Sequence, residues 1–202
     1  MTAFSLRLAV MPITEAPDDD ALVARLREGD RAAIEDAYVA HHAQIRGFAR
    51  RLVGDATTAE DLVHDTFIAL PHAIRRYRGD APLRSFLIGI AVNNARRHIR
   101  AAARRRRASE KLAEERDVAP MSALDASELL ERKRLANSLS AALDELPIDQ
   151  RVAFVLCEAE GRTSVEVAQI LCVPEGTVRT RVFHAKRKLR AALGHLAPEA
   201  TR

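Results

Sequence analysis

Between Ala59 and Tyr77 the residues Leu62, Val63, Thr66, Phe67, Leu70 and Ile74 recur at helical spacing, while Glu60, Asp61 and Asp65 face another way. A stripe of this period needs a helix to gather it onto one side, and it needs another apolar face to cover it. The same rhythm returns in Leu22, Val23 and Leu26, in Ile34, Tyr38, Ile45, Phe48, Ala49 and Leu52, and in Phe86, Leu87, Ile90, Ala91, Ala95 and Ile99. Hydrophobic residues make up 48% of the 202, but aromatics only 4%, with no Trp. A core of Ala, Leu, Val and Ile suits helices better than strands. The 8 Gly and 8 Pro are few for a chain of many short strands and turns. The expected fold class is all-α.

Punctuation divides the helices. Asp19 or Asp20 is placed to cap the first, and Gly29 to stop it. A second runs from Arg31 to Val53, and Gly54-Asp55 makes a turn. Thr57 or Thr58 is placed to cap a third helix, from Ala59 to about Tyr77. Pro71 inside it predicts a kink or break near Leu70, since an interior proline loses a backbone bond and costs roughly 3 kcal/mol. Arg76 to Pro82 reads as a loop. A long helix follows from Leu83 to about Arg107, with Gly89 weakening it by about 1 kcal/mol relative to Ala. Beyond an acidic stretch, Leu129 to Leu146 carries the stripe Leu135, Leu139, Leu143 and Leu146. Pro147 opens the next element, where Val152, Val155 and Leu156 pack, and Gly161 ends it. The expected organisation is a flexible tail (1–18), a first helical bundle (19–107), an acidic linker (108–128), a second bundle (129–193) and a short tail (194–202).

Charge is unevenly placed. The net charge is +4, yet Arg96 to Arg107 reads RRHIRAAARRRR, Glu175 to Arg190 carries six cations against one acid, and Ser109 to Glu128 between them is acidic on balance. Two basic patches separated by an acidic connector suit two contacts with nucleic acid, or simply two arginine-rich helix ends. The two cysteines, Cys157 and Cys172, form no CxxC and sit among apolar residues, so buried free thiols in a reducing cytoplasm are expected and zinc is not. His41-His42, His64 and His72 lack a metal-ligand spacing. No apolar run approaches a membrane span, and the first residues do not read as a signal peptide.

The most informative stretch is GRTSVEVAQILCVPEGTVRTRVFHAK. Thr163 and Glu166 make a capping box ahead of a short helix, Ser164 to Leu171. Cys172-Val173-Pro174 makes a tight turn, and Pro174 starts a second helix. Val167, Leu171, Val173, Val178 and Val182 supply the seam between them. This spacing fits a helix-turn-helix, whose second helix enters the DNA major groove. With Val178, Val182, Ala185 and Leu189 inward, Arg179, Thr180, Phe183, His184 and Arg187 fall on the other sides. Arg can read guanine and Phe can meet a thymine methyl. Lys186, Lys188 and Arg190 suit phosphates. A helical hairpin within a bundle is the plainer alternative. Cys172 occupies a turn position where many such motifs use Gly to permit positive φ.

Taken whole, the chain resembles the sigma-70 family of RNA polymerase sigma factors, in the extracytoplasmic-function (ECF) group. The first bundle carries the resemblance in AEDLVHDTF, YRGDAPLRSFL and IAVNNARRHIR, the second in LDELPIDQR, the EGRTS entry and VPEGTVRTRV. The resemblance implies a cytoplasmic bacterial initiation factor, not an enzyme and without a cofactor. Such a factor binds core RNA polymerase (its beta and beta-prime subunits) and takes it to promoter DNA, and an anti-sigma factor is an expected partner. It implies polymerase contact through the helix of Asp61, Leu62, Asp65, Phe67 and Ile68, where Pro71 departs from the family. For the -10 element it implies Tyr77, Arg78, Gly79 and Asp80 as a pocket for an extruded base. Phe86, Asn93, Arg96, Arg97 and Arg100 extend that surface, with Arg104 to Arg107 on the duplex backbone. Ile88-Gly89 replaces a more usual Tyr-Arg pair. For the -35 element it implies Arg162, Thr163, Arg179, Thr180, Arg181, Phe183, His184, Arg187 and Lys188, with His184 where the family often has Arg. The acidic linker resembles the segment that threads along the polymerase's nucleic-acid channels.

Two other readings compete. A helix-turn-helix regulator acting without core polymerase explains the second bundle but leaves the first without a task. A sigma-like decoy for an anti-sigma factor needs a receiver domain or degraded DNA-reading residues, yet Arg179 and Arg181 are present.

Overall fold

The computed structural model describes residues 19–110 and 138–194, with side chains described up to Ala101 in the first span. The N-terminal tail, the acidic linker with the helical reading of Leu129 to Leu135, the side chains of Arg104 to Arg107 and the last eight residues lie outside it. The regular elements of the described residues are all helical, with no strand among them. The elements are α1 (Asp19–Glu28), α2 (Arg31–Val53), α3 (Ala56–Ala73) with a 3-10 turn at Ile74–Arg76, and α4 (Leu83–Glu110). They continue with α5 (138–144), α6 (Ile148–Phe154) running into a π-helical turn at Val155–Ala159, α7 (Ser164–Leu171) and α8 (Glu175–Leu193).

The first bundle is α1–α4, with α2, α3 and α4 packed on one another. The predicted stripe of α3 is wholly inside: Leu62, Val63, Thr66, Phe67, Leu70 and Ile74 are all buried. Three local expectations are corrected. Asp55, not a threonine, caps α3, accepting from the Thr58 N–H at 2.7 Å, so the helix begins at Ala56. Pro71 does not break α3, which continues to Ala73. The missing bond to the carbonyl four residues back falls in the last turn, where the helix is already tightening into the 3-10 turn. Tyr38 is not inward. It is 42% exposed, stacked on His42 at 4.9 Å and edge-on to Phe67 at 5.0 Å, while Ala33, Ala37 and His41 take the core positions of that helix.

The second bundle is α5–α8. Arg151 is buried at 4% exposure and its Nη1 bonds the Asp144 carboxylate. Leu143 and Leu146 cluster with Ala185 and Leu189 of α8. The two bundles pack together. One apolar cluster runs from Leu22 through α4 to Val178, and α4 lies against both α6 and α7. Consequently α4 is buried on more than the predicted side: Ile88 and Val92 are 2% and 1% exposed, beside Leu87, Ala91 and Ala95. Gly89 stands at the crossing, where a Cβ would meet the Ile170 carbonyl oxygen at 3.3 Å. The Ile88-Gly89 pair thus serves this contact, with a large residue filling the seam and an absent side chain admitting the neighbouring backbone.

Candidate nucleic-acid interface and docking face

The helix-turn-helix forms as the residues require. Thr163 Oγ1 accepts from the Glu166 N–H at 3.2 Å, and the Glu166 carboxylate accepts from the Thr163 N–H at 2.7 Å, so the box is reciprocal. The bond from the Thr163 N–H, and a second at 2.8 Å from the Thr163 hydroxyl to the same carboxylate, hold the Glu166 carboxyl below its ordinary pKa. Cys172 adopts φ 52°, ψ 48°, the left-handed region, and is the one non-glycine with positive φ among the described residues. Its N–H and that of Val173 close the end of α7 onto Gln169 and Ala168 carbonyls. The motif therefore keeps its turn with a side chain where glycine is easier, at a local cost of order 1 kcal/mol.

On α8, Val178, Ala185 and Leu189 are buried and Val182 is half-buried. Phe183 is 61% exposed and its ring stands edge-on to His184 at 5.5 Å. Arg179, Thr180, Arg187 and Lys188 are exposed. Arg179 is held by Glu175 one turn back at 2.6 Å, and the Thr180 hydroxyl donates to the Gly176 carbonyl at 2.9 Å. Two members of the set stand apart. Arg181 is drawn to Asp149, with Nη2 at 3.3 Å from Oδ2. Arg162 turns toward the first bundle and donates from Nη1 to Ser85 Oγ at 3.2 Å. Burial, with Arg84 close by, pulls the Arg162 pKa below its ordinary value.

In the first bundle the -10 candidates gather at the start of α4 and along its outer side. Tyr77 is half-buried, with its ring 5.1 Å from Phe86 and its hydroxyl donating to the Ala81 carbonyl at 2.6 Å. Burial, with Asp19 and Asp20 nearby, raises the Tyr77 pKa. Arg78, Gly79 and Asp80 are exposed. Further along, Asn93, Arg97 and Arg100 are exposed, and Asn93 Oδ1 accepts from Arg96 at 3.3 Å. Arg96 itself bonds Asp149 of the second bundle at 2.8 Å.

The docking candidates on α3 separate by burial. Leu62 is fully buried and Phe67 is 6% exposed, so both form the floor beneath the face. Asp61 is exposed, Ile68 is 60% exposed, and Asp65 is half-buried beside His98 Nε2 at 3.1 Å. His64 and His72 share the outer side, and Tyr38 with Val39, 75% exposed, extends the apolar part onto α2. Tyr38 and Val39 escaped the sequence reading because a Tyr four residues after Ile34 looks like core. The charged Glu35-Asp36 pair beside it was no sufficient warning.

Both cysteines are free, but the expected burial is corrected: Cys157 is only half-buried, and Cys172 is exposed because it stands in the turn that ends α7. Among the described residues no set of three or more His, Cys, Asp or Glu side chains is placed to hold a metal ion. None of their helices is long and apolar enough to cross a membrane.

The chain matches the family models of sigma-70 region 2 over residues 37–105 and sigma-70 region 4 over residues 136–189. It is 34% identical over 187 residues to the RNA polymerase sigma-H factor of Pseudomonas aeruginosa, covering 90% of this chain and 97% of that one. It is 33% identical to the RNA polymerase sigma factor CarQ of Myxococcus xanthus, covering 88% and 99%. With the ECF RNA polymerase sigma-E factor of Escherichia coli it shares 29% identity, covering 88% and 95%. Two solved structures share the fold. One is the sigma factor RpoE in complex with the anti-sigma factor NepR from Bartonella quintana (TM-score 0.58, 24% identity, 79% of this chain and 96% of that one). The other is CnrH in complex with the cytosolic domain of CnrY (TM-score 0.59, 24% identity, 88% and 97%).

Proposed function

Because the chain belongs to the sigma-70 family of RNA polymerase sigma factors, in its ECF group, we propose that each described surface serves one step of transcription initiation. The family consists of transcription factors rather than catalytic enzymes, so the tasks are binding and opening, with catalysis left to the polymerase.

The exposed part of α3, with Asp61, Asp65 and Ile68 and the neighbouring Tyr38 and Val39, docks on core RNA polymerase. An acidic and apolar face fits a partner helix that is basic and apolar, and such complementarity sets register and speeds encounter. The outer face of α8 enters the major groove of the -35 element. Arg179 and Phe183 meet base edges, and Arg187 and Lys188 meet phosphates. The loop of Tyr77 to Pro82 takes a base extruded from the -10 element. Asn93, Arg97 and Arg100 lie along the strand, and Phe86 backs Tyr77. Extrusion costs a few kcal/mol, which stacking on Tyr77 and hydrogen bonds from the loop offset.

The observation that carries this reading is the division of labour on one chain. A helix-turn-helix presents an outward Arg179-Thr180-Phe183 face, and a separate bundle presents an acidic, apolar ridge. A regulator acting without polymerase would have no use for that ridge. An anti-sigma factor would silence the protein by covering the ridge and the reading helix. Of the two solved structures, one holds a sigma factor bound to an anti-sigma factor, and the other holds CnrH bound to the cytosolic domain of CnrY. The site of action is the cytoplasm, near the membrane whenever the inhibitor is itself membrane-bound.

The test is transcription of fragmented genomic DNA by core polymerase with and without the protein, mapped to start sites. Discrete transcripts that require the protein are expected. Failure to bind core, with no added transcript from any fragment, defeats the reading.

A further inference from the structure

Asp19 of α1 does not cap its own helix. Its Oδ2 accepts from the Leu83 N–H at 3.2 Å, across 64 residues of chain. This bond answers a need in α4. Its N-cap position is Pro82, whose side chain offers no acceptor, so the first N–H of the helix would otherwise lack a partner. A carboxylate there also suits the positive end of the helix dipole. At the other end of α1, Arg27 Nη2 donates to the Tyr77 carbonyl at 2.6 Å.

Asp19, Val23 and Arg27 follow one another at a spacing of four, so they share one side of α1, and Val23 between them is 5% exposed. Eight residues of helix span about 12 Å. One rigid edge of that length therefore grips both ends of a single loop, its first carbonyl at Tyr77 and the first N–H after it at Leu83. The 3-10 turn that leads into the loop also packs on α1. Within the loop, the Tyr77 hydroxyl bonds the Ala81 carbonyl. Gly79, at φ 84°, has no atom within 4 Å of where a Cβ would stand. The ends are clamped and the middle is open.

We propose that α1 is a splint for this loop, with Asp19 and Arg27 as positioning residues that set its shape before DNA arrives. The proposal rests on the reading of the loop as the pocket for an extruded -10 base. α1 begins at Asp19 and ends at Glu28, outside the region 2 match at 37–105. A pocket shaped in advance does not charge the incoming base for ordering the loop, so the splint sharpens capture. Neither side chain touches the base.

The experiment uses holoenzyme assembled from core polymerase and the full chain, on a promoter identified by start-site mapping. Single abasic substitutions are scanned through the -10 region of each strand, and open-complex formation is measured for each. In the wild type one position carries the dominant penalty. In Arg27→Ala and Asp19→Ala that penalty shrinks roughly threefold to tenfold, the scale of one hydrogen bond's net contribution, while penalties at other positions are unchanged. Arg27→Lys still donates and Asp19→Asn still caps, so both retain the wild-type pattern. A role confined to stability would lower all positions together and leave the ratio intact, and circular dichroism on each variant confirms folding. Initiation by the wild type with the same ratio in both alanine variants overturns the splint alone. Absence of promoter-dependent initiation by the wild type overturns the functional reading, and the splint with it.

Discussion

Arg96 of α4 and Arg181 of α8 share one carboxylate. Asp149, at the start of α6, accepts from Arg96 at 2.8 Å through Oδ1 and from Arg181 at 3.3 Å through Oδ2. The two guanidinium side chains are only 20% and 22% exposed. The family resemblance assigns one to the -10 set and the other to the -35 set, so in this arrangement a single acid occupies one cation of each.

Removing that acid should favour DNA. Asp149→Asn is expected to raise the affinity of the free protein for promoter DNA at low salt. It should also steepen the dependence of log K on log salt by about one to two phosphate contacts, each worth a slope of about 0.9. Fluorescence anisotropy across a salt series measures both. Unchanged slope and affinity would mean that Asp149 does not compete with phosphate.

The crossing at Gly89 is tight enough to control how the bundles sit. Leucine there would drive its side chain into the Ile170 carbonyl region, which is backbone and cannot swing aside. Gly89→Leu is expected to separate α4 from α7, increasing the radius of gyration in solution scattering and speeding amide exchange in α7. The helix itself should not suffer, since leucine is a better helix former than glycine by nearly 1 kcal/mol.

Stability should fall with mild acid through His41. The side chain is 2% exposed and its Nε2 lies 3.7 Å from the Asp19 carboxylate. Burial lowers its pKa below the ordinary 6.5, Asp19 raises it in part, and Arg84 lowers it again. The unfolded chain therefore binds a proton before the folded one does. The stability due to neutral His41 is complete above about pH 6.5 and is lost as pH falls toward the depressed folded value. Asp30, Asp55 and Glu166, each held below its ordinary value by hydrogen bonds to its charged form, act only at lower pH. Urea unfolding at pH 7.5 and 5.5 is expected to show a lower midpoint in acid. His41→Leu should remove that difference.

Arg179 and Lys188 separate reading from gripping. Arg179→Ala is expected to relax preference at one base pair of the -35 element by about 1–3 kcal/mol. Lys188→Ala should weaken all sequences alike and reduce the salt slope by about 1. Binding-site selection followed by salt titration distinguishes them, and identical effects of the two changes would contradict the assigned orientation of α8.

Much of the architecture is decided within a few residues of chain. The α3 stripe is buried as its period requires, Thr163 and Glu166 make their reciprocal cap, and α8 hides Val178, Ala185 and Leu189. These follow from helical repeat, capping chemistry and φ preference, which depend on neighbours along the chain and so are legible without a fold. Even the awkward Cys172 announced its left-handed turn by where it stood.

What the chain alone did not disclose was decided between distant elements. Tyr38 lies outside because Ala33, Ala37 and His41 already fill the face of α2 that meets the core. Ile88 and Val92 are buried on a side of α4 that a lone bundle would leave wet, because the second bundle covers it. Asp19 caps a helix 64 residues away, and Asp149 meets Arg96 and Arg181 at separations of 53 and 32. A carboxylate in sequence shows its charge and its local turn, but not which cation folding will bring to it. Helical period chooses the side of each helix that turns inward, and only packing chooses what it faces.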